Sequence, residues 1–253
     1  VEAWKAIHAP VYDFVSEGVE NTVWVIDDAD TVKAITDKFA QIESLYIADG
    51  HHRAASAVKV GKKRREQNPN YTGEEEFNFF LAVLFPTDEL EIMDYNRVMK
   101  DLNGNSSEEF MAKLGEVMDI EKYGKDAYKP EKKHTFGMLL DGTWYKLTAK
   151  DGTFDANDPV DQLDVSILQN NVISPIFGID DPRTDKRIDF IGGIRGLGEL
   201  ERIVDTDMKI AFSMFPTTLD DLMDIADAGK IMPPKSTWFE PKLMSGLFIH
   251  KLS

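Results

Sequence analysis

The sequence predicts an α+β protein in which helices pack on a mixed β-sheet. Short apolar runs of strand length alternate with segments whose apolar residues recur at helical spacing. These segments alternate without a strict βαβ repeat, a pattern that favours a mixed sheet with helices against it. A polar and charged stretch at 123–133 predicts a weak boundary between two regions, 1–122 and 123–253, which could also form one continuous domain.

The first region is predicted to alternate strands and helices. Strands are predicted at 20–27, 45–48, 77–85 and 90–93, and helices at 29–39, 51–66 and 106–118. The run at 77–85 is the most apolar in the chain and predicts a central, buried strand. The helix at 106–118 begins at Ser106 or Ser107, and Glu109 completes a pattern that resembles a capping box.

The second region opens with the clearest hairpin in the chain. Its predicted strands, 134–140 and 143–147, are joined by Asp141 and Gly142, a pair typical of a two-residue hairpin turn. Further helices are predicted at 160–170, 198–204 and 218–228, and further strands at 188–191, 209–215 and 246–252.

Composition restricts the class of protein. The 253 residues carry a net charge of −16, which repels nucleic-acid phosphates and argues against nucleic-acid binding as the main function. The absence of cysteine excludes thiolate chemistry and disulfides, and it is compatible with a reducing, cytoplasmic location. No run of about 18 apolar residues predicts a membrane span. Because the sequence begins without Met or a signal-peptide pattern, we expect further residues upstream.

One segment combines the residue types of a ligand site: Asp49, Gly50, His51, His52 and Arg53. It lies between a predicted strand and a predicted helix, and the start of a helix offers free N–H groups and a positive dipole end to an anion. Gly50 permits a tight turn, while Arg53 and His52 can hold a phosphate or carboxylate. Asp49 or His51 could accept a proton.

Other readings of this segment are ordinary ones. Asp49 could cap the helix, Gly50 could simply form the turn, and Arg53 could pair with a neighbouring acid. Joint metal binding by His51 and His52 is disfavoured, since adjacent helical side chains point about 100° apart. We therefore predict no metal site in the protein itself.

Three loops carry further polar chemistry. The segment 95–101 supplies Asn96 and Arg97, and the segment 233–242 supplies Lys235, Ser236 and Thr237 after two stiffening prolines. The glycines of a phosphate-binding P-loop are missing before Lys235. The charged turn at 181–187 is more typical of a surface loop, and the glycines at 192–196 lack the spacing of a dinucleotide fingerprint.

Four strings carry a resemblance to a known family: 46–53 (Tyr-Ile-Ala-Asp-Gly-His-His-Arg), 94–97 (Asp-Tyr-Asn-Arg), 181–185 (Asp-Pro-Arg-Thr-Asp) and 232–242 (Met-Pro-Pro-Lys-Ser-Thr-Trp-Phe-Glu-Pro-Lys). Over nearly its whole length the chain resembles the bacterial family of Domain of Unknown Function 1015, which has no settled activity. Members are longer at the N-terminus, in keeping with the expected upstream residues.

A looser resemblance links the Asp-Gly-His-His-Arg string to the ParB/sulfiredoxin superfamily, which includes free-serine kinases. That resemblance implies a strand–turn–helix element in which Gly50, His52 and Arg53 contact phosphate and Asp49 orients substrate or metal. The absence of cysteine excludes sulfiredoxin chemistry, and the acidity of the chain argues against the DNA-partitioning branch.

The resulting expectation is a nucleotide- or phosphate-binding enzyme, with small-molecule phosphotransfer as its reaction and Mg²⁺ entering with a nucleotide. Asn96, Arg97, Lys235, Ser236 and Thr237 are expected to add ligand contacts. The alternative is a non-catalytic sensor or partner-binding module that uses the same anion site. Substrate and oligomeric state are not predicted.

Overall fold

The computed structural model describes residues 1–252, which divide into two compact units, 1–47 and 48–252. The unit 1–47 contains a short helix, α1 (Glu2–Lys5), a hairpin of β1 (Tyr12–Ser16) and β2 (Val19–Val23), and α2 (Ala29–Phe39). The helix α2 has the predicted bounds. Its N-cap Asp28 accepts a hydrogen bond from the Thr31 backbone N–H, as the sequence pattern indicates.

The second unit is larger and contains most of the secondary structure. Its helices are α3 (His51–Gln67), α4 (Ser107–Val117), α5 (Asp164–Leu168), α6 (Ser174–Phe177), α7 (Leu197–Val204) and α8 (Leu219–Asp227). Its strands are β3 (Glu91–Met93), β4 (Tyr95–Met99), β5 (Met118–Gly124), β6 (Thr135–Leu140), β7 (Thr143–Ala149), β8 (Ile188–Gly192), β9 (Ile210–Met214) and β10 (Trp238–Glu240). A π-helical segment, Gln169–Ile173, joins α5 to α6, and short 3₁₀ helices lie at Glu76–Asn78, Thr87–Glu89 and Gly193–Arg195.

Six strands form one sheet in the order β5-β7-β6-β9-β4-β8, while β3 and β10 pair separately. The predicted α+β class, with helices packed on a sheet, is confirmed. Every strand pair is antiparallel, which corrects the expectation of a mixed sheet. Parallel neighbours need a long crossover connection, and hairpins such as β6–β7 reverse the chain directly. The sheet takes strands from both sides of the boundary predicted at 122/123. The division into regions 1–122 and 123–253 stays a prediction.

Helices cover both faces of the six-stranded sheet. One face packs against α4, α5 and α6 through a core that includes Phe110, Leu168, Phe177 and Phe212. The other face packs against α7, where Leu200 is fully buried. Alternation along β4 therefore directs successive side chains into two different cores.

Three predicted strands are wrong, at 45–48, 77–85 and 246–252. Residues 77–85 begin in a 3₁₀ helix and then form no strand, and Phe79, Phe80 and Leu81 are each about half exposed. An apolar run becomes a buried strand only when another strand pairs with it, and no strand among residues 1–252 pairs with this one. The predicted closing strand at 246–252 is likewise absent from the described residues.

The predicted strand–turn–helix element is only partly present. The turn exists and α3 begins at His51, as predicted, but residues 45–48 form no strand. The helix predicted at 160–170 begins at Asp164, four residues later than expected. None of the helices formed by residues 1–252 combines the length and apolar character needed to cross a bilayer.

Gly137 supports a testable prediction about packing in the sheet. A Cβ at this position would lie 2.6 Å from the backbone oxygen of Tyr128 and 2.1 Å from Ser213 Oγ. The Ser213 hydroxyl donates a hydrogen bond to the same Tyr128 oxygen. Gly137→Ala is therefore expected to lower the free energy of unfolding by about 1–3 kcal/mol, the usual effect of overpacking. Urea unfolding monitored by tryptophan fluorescence measures the change.

Gly115 provides the matched control in the interior of α4, where the nearest atom to an added Cβ is 4.0 Å away. Gly115→Ala should leave stability unchanged or raise it by up to about 1 kcal/mol, because alanine is the better helix former. Equal effects of the two substitutions would contradict the packing argument.

Candidate functional site

The turn before α3 has an unusual backbone and exposed side chains. Gly50 adopts the left-handed conformation (φ 81°) as the N-cap of α3. Its N–H donates to Asp49 Oδ1 over 2.7 Å. The Arg53 guanidinium folds back over Gly50, so that a Cβ there would lie 2.8 Å from Arg53 Nε. The left-handed φ angle favours glycine at position 50, whereas the exposed Arg53 side chain could move aside for a Cβ.

The charges of the turn are held loosely. Asp49 Oδ2 lies 3.9 Å from Arg53 Nη2 and 3.6 Å from Lys242 Nζ. The side chains are exposed to 57% at Asp49, 79% at Arg53 and 47% at Lys242, so these ion pairs contribute little to stability. All three charged groups are consequently free to rearrange around a ligand.

The first turn of α3 contains no acidic residue, and no side chain caps the helix. His51 and His52 are exposed and have neither a hydrogen bond nor an ion pair from their side chains to any part of residues 1–252. Backbone N–H groups at an uncapped helix start are available to an external acceptor. The turn thus presents N–H donors together with imidazole, guanidinium and ammonium groups.

Asn96 lies on β4 and is fully buried. Its Nδ2 donates to Asp94 Oδ2 over 2.6 Å, and its Oδ1 accepts from the backbone N–H of Met214 over 2.9 Å. The amide is thereby engaged within the sheet. A ligand contact for Asn96 stays a prediction, and the geometry supplies a structural role beside it.

Arg97 is the next residue along β4 and is only 3% exposed. Its guanidinium Nη1 donates to the backbone oxygen of Tyr95. Its Nη2 donates to the backbone oxygen of Lys235 over 2.9 Å. The guanidinium also lies 5.5 Å from the centre of the Phe190 ring. Burial lowers the pKa of Arg97 to about 10, since a desolvated charge is disfavoured.

A cleft of about 390 Å³ opens beside this arginine, and we refer to it as the Arg97 cleft. Its polar lining consists of Arg97, Gln169, Asp180, Asp181 and Arg183. Its apolar lining consists of Val165, Pro182, Phe190, Pro233 and Pro234. Three of the four strings quoted above, 94–97, 181–185 and 232–242, contribute to this one cleft.

The predicted Lys235-Ser236-Thr237 segment forms the loop before β10. Ser236 is buried, and its hydroxyl donates to the Pro233 carbonyl over 2.6 Å, so it holds the loop in shape. Lys235 adopts a left-handed conformation (φ 59°), which is unfavourable for a residue with a Cβ. Its ammonium lies 5.8 Å from the ring centres of both Tyr95 and Phe190. Thr237 is half-buried beside them.

A chain of short contacts connects the α3 turn to this loop. Lys242 Nζ lies 3.6 Å from Asp49 and 5.2 Å from the Trp238 ring centre. The Trp238 ring lies 5.5 Å from that of Tyr95, and Lys235 reaches Tyr95 in turn. The fourth string therefore lies next to the other three, although its side chains do not line the Arg97 cleft.

Asp164 is a buried carboxyl that sequence reasoning missed. Its Oδ1 accepts from the His134 backbone N–H over 2.8 Å, while Oδ2 has no partner among the described residues. Burial raises its pKa to about 7, despite the lowering effects of that hydrogen bond and of Lys133 and Arg97. Nothing in its local sequence marks Asp164, because the effect arises from the packing of α5 against the sheet.

The fold and this geometry define an α+β protein with a basic turn at the start of a long helix, next to a loop that borders a cleft around a buried arginine. The chain belongs to the family described as "Protein of unknown function (DUF1015)", whose model matches residues 1–166. A comparison with curated proteins found no match.

Several solved structures resemble the chain at low identity. Free serine kinase in complex with AMP is 12% identical with a TM-score of 0.44, and the match covers 85% of this chain and 81% of that one. A mutant of free serine kinase in complex with ADP is 15% identical with a TM-score of 0.42. The match covers 76% of this chain and 66% of the kinase chain, so this chain spans just under two thirds of the length of that kinase. A conserved hypothetical protein from Pyrococcus furiosus is 14% identical, with a TM-score of 0.43 and coverage of 83% and 81%.

The raised pKa of Asp164 generates a prediction about stability and pH. Between its ordinary pKa of 3.8 and its folded pKa of about 7, the folded protein binds a proton that the unfolded chain has lost. The contribution of Asp164 to stability therefore falls as the pH rises from about 4 to about 7, and is constant above that. Asp164→Asn should gain stability relative to the wild type across this window, by up to about 4 kcal/mol at pH 8 given ~1.4 kcal/mol per pKa unit. Urea unfolding between pH 4 and pH 8 measures the difference.

Asp158 provides a control of opposite sign. The hydrogen bond from Lys230 lowers the pKa of Asp158, so its contribution is present at neutral pH and is lost as the pH falls through the folded pKa. Asp158→Asn should therefore lose stability relative to the wild type towards neutral pH. A pH-independent difference for Asp164→Asn would show that its carboxyl titrates normally.

Proposed function

We propose that the protein binds the phosphate groups of a small molecule, a nucleotide or a phosphorylated metabolite, at the Asp49–Arg53 turn. The observation that carries this proposal is the composition of the α3 start: a 17-residue helix with neither a side-chain cap nor an acid in its first turn. In place of an acid it presents His51, His52 and Arg53. Lys242 adds an ammonium group within 3.6 Å of Asp49.

Electrostatics favour this reading over a merely structural turn. A cation in the first turn is unfavourable to the helix itself, because the N-terminus is the positive end of the dipole. Asp49 faces both Arg53, at 3.9 Å, and Lys242, at 3.6 Å, so the basic groups of the turn outnumber this carboxylate and can take a second anionic partner. A phosphate provides one, since it accepts from backbone N–H groups and from the planar guanidinium at the same time.

Phosphoryl transfer is the reaction we propose for this site. A phosphorus–oxygen bond of the donor nucleotide breaks, a new one forms to an acceptor hydroxyl, and the hydroxyl proton passes to Asp49 or His51. Arg53, Lys242 and the helix start stabilise the charge on the transferred group, because such catalysis relies mainly on positioning and electrostatics. Mg²⁺ would enter with the nucleotide, held by its phosphate oxygens.

The remaining expectations belong to the same proposal. Arg97, Lys235 and Thr237 lie along the contacts that lead from the turn to the loop before β10, where an acceptor or the rest of the nucleotide could bind. The cytoplasm is the proposed location, in keeping with a chain that contains no cysteine. A role in nucleic-acid binding is not proposed, in view of the net charge.

Arg53→Ala tests the binding half of the proposal. Loss of a charge-assisted hydrogen bond is worth about 1.5–3 kcal/mol, so nucleotide affinity should fall by roughly 10- to 100-fold. The measurement is a thermal-shift titration with ATP, ADP, CTP, GTP and pyrophosphate, with and without Mg²⁺. A ligand at 100 times its Kd adds about 2.7 kcal/mol of stability, which is readily detected.

Lys62→Ala is the matched control, since Lys62 is exposed on the same helix and its loss removes the same charge. It lies nine residues beyond Arg53, about 14 Å along the helix axis. Affinity unchanged in Lys62→Ala but reduced in Arg53→Ala places the phosphate at the turn. Equal loss in both variants, or no shift with any ligand, would refute the proposal.

Asp49→Asn tests the catalytic half. The substitution removes the proton acceptor and one charge but preserves the shape of the turn, because an Asn oxygen can still accept from the Gly50 N–H. We expect nucleotide binding to be retained and turnover to fall by about 100-fold or more, the typical contribution of a general base. Conversion of ATP to ADP in the presence of small hydroxyl compounds is the assay. Tight binding without turnover in the wild-type protein would instead identify a ligand-sensing module.

A further inference from the structure

No residue of the Asp49–Arg53 turn lines the Arg97 cleft, although Arg97 and Lys235 lie on the contacts that lead from that turn. Its volume of about 390 Å³ falls within the range of small-molecule sites. Its most unusual feature is a charged side chain, 3% exposed, at its inner wall. The question is what neutralises that charge.

No carboxylate among residues 1–252 lies within ion-pair distance of the Arg97 guanidinium. The guanidinium has five N–H groups, of which two donate to backbone carbonyls. Buried charges in proteins are normally paired, since an isolated one is costly to remove from water. The low pKa of Arg97, about 10, reflects that desolvation.

The neighbouring acids do not serve as its counter-ion. Asp181 is engaged by Arg183 through two contacts of 2.9 Å, and Asp180 accepts from the Ser174 hydroxyl. Asp164 influences Arg97 from farther away, but its own pKa of about 7 leaves it only partly ionised at neutral pH. The cleft lining carries two arginines and two aspartates, and among residues 1–252 no carboxylate pairs directly with Arg97.

The other walls indicate the size and character of the missing partner. Phe190, Pro233, Pro234 and Val165 form its apolar lining. The centre of the Phe190 ring lies 5.5 Å from the guanidinium, and two of the five guanidinium N–H groups donate to backbone carbonyls, which leaves three without an acceptor among residues 1–252. A monoanion would supply the direct partner that Arg97 lacks, and Asp180 and Asp181 would repel a phosphate dianion more strongly than a monoanion.

We propose that the Arg97 cleft binds a small monocarboxylate, with the carboxylate on Arg97 and an apolar body against Phe190 and the two prolines. Lys235 contributes to the same site. Its ammonium lies 5.8 Å from the Phe190 ring, and its carbonyl positions Arg97. Lys235 adopts a φ of 59°, a conformation that is unfavourable for a residue with a Cβ.

The experiment uses benzoate and propionate as probes at constant ionic strength, with benzamide and inorganic phosphate as comparisons, in a thermal-shift titration. Benzoate or propionate should raise the melting temperature of the wild-type protein, and benzamide should not. Arg97→Lys keeps the charge but loses the planar fork, so it should weaken benzoate binding by roughly tenfold or more. If neither carboxylate raises the melting temperature, the proposal is overturned.

Two further variants keep the test decisive should Arg97→Lys fail to fold. Lys235→Gly relieves the left-handed strain, so it should melt no lower than the wild type and yet bind benzoate more weakly. Pro234→Trp fills the cleft and should abolish the benzoate shift, whereas Ile231→Trp, at a residue 87% exposed and outside the cleft, should preserve it. A benzoate shift that survives Pro234→Trp refutes this site.

Failure of the carboxylate proposal can be told apart from failure of the phosphate proposal for the Asp49–Arg53 turn. Arg53→Ala should keep the full benzoate shift, because Arg53 does not line the Arg97 cleft. A phosphate-induced shift that is lost in Arg53→Ala and kept in Lys235→Gly belongs to the α3 turn. A phosphate shift lost in Lys235→Gly but kept in Arg53→Ala would show that the cleft selects phosphate and would overturn the carboxylate assignment.

Discussion

The hydrogen bonds of the Asn96 side-chain amide fix the strand ends that determine the position of Arg97. The amide is fully buried in strand β4, between β9 and β8, where a polar group must find partners. It joins the Asp94 carboxylate to the backbone of Met214 at the end of β9, and the Asp94 carbonyl accepts from the Gly193 N–H just beyond β8. The ends of three strands are thereby fixed in register. Arg97 follows on the opposite face of β4, so the position of its guanidinium is set by that register.

Local signals in the sequence were sufficient for some elements and insufficient for others. The α2 bounds and the β6–β7 hairpin could be predicted because their determinants lie within a few residues: an Asp N-cap in one, and Asp141-Gly142 with φ of 49° and 65° in the other. The apolar run at 77–85 carried an equally strong local signal but forms no strand. Strand formation depends on a pairing partner elsewhere in the chain, which one segment cannot reveal.

The same distinction separates the two sites. The α3 turn could be predicted because Asp49 to Arg53 are consecutive and their chemistry is local. The Arg97 cleft could not, since its lining comes from five separate segments that only the fold brings together. Asp164 is harder still to predict. Its raised pKa comes from burial, and an aspartate in an ordinary helical pattern gives no indication of burial.

The exposed apolar segment at 79–84 affects how copies of the protein meet one another. Its backbone N–H groups beyond Phe79 donate to no backbone oxygen within residues 1–252, so the segment can template strand addition. The net charge of −16 opposes such encounters, but that repulsion is screened within about 10 Å at 0.1 M salt. The self-association of the protein should therefore depend on ionic strength. Low salt and low protein concentration favour separate molecules, and high salt favours edge-to-edge association through this segment.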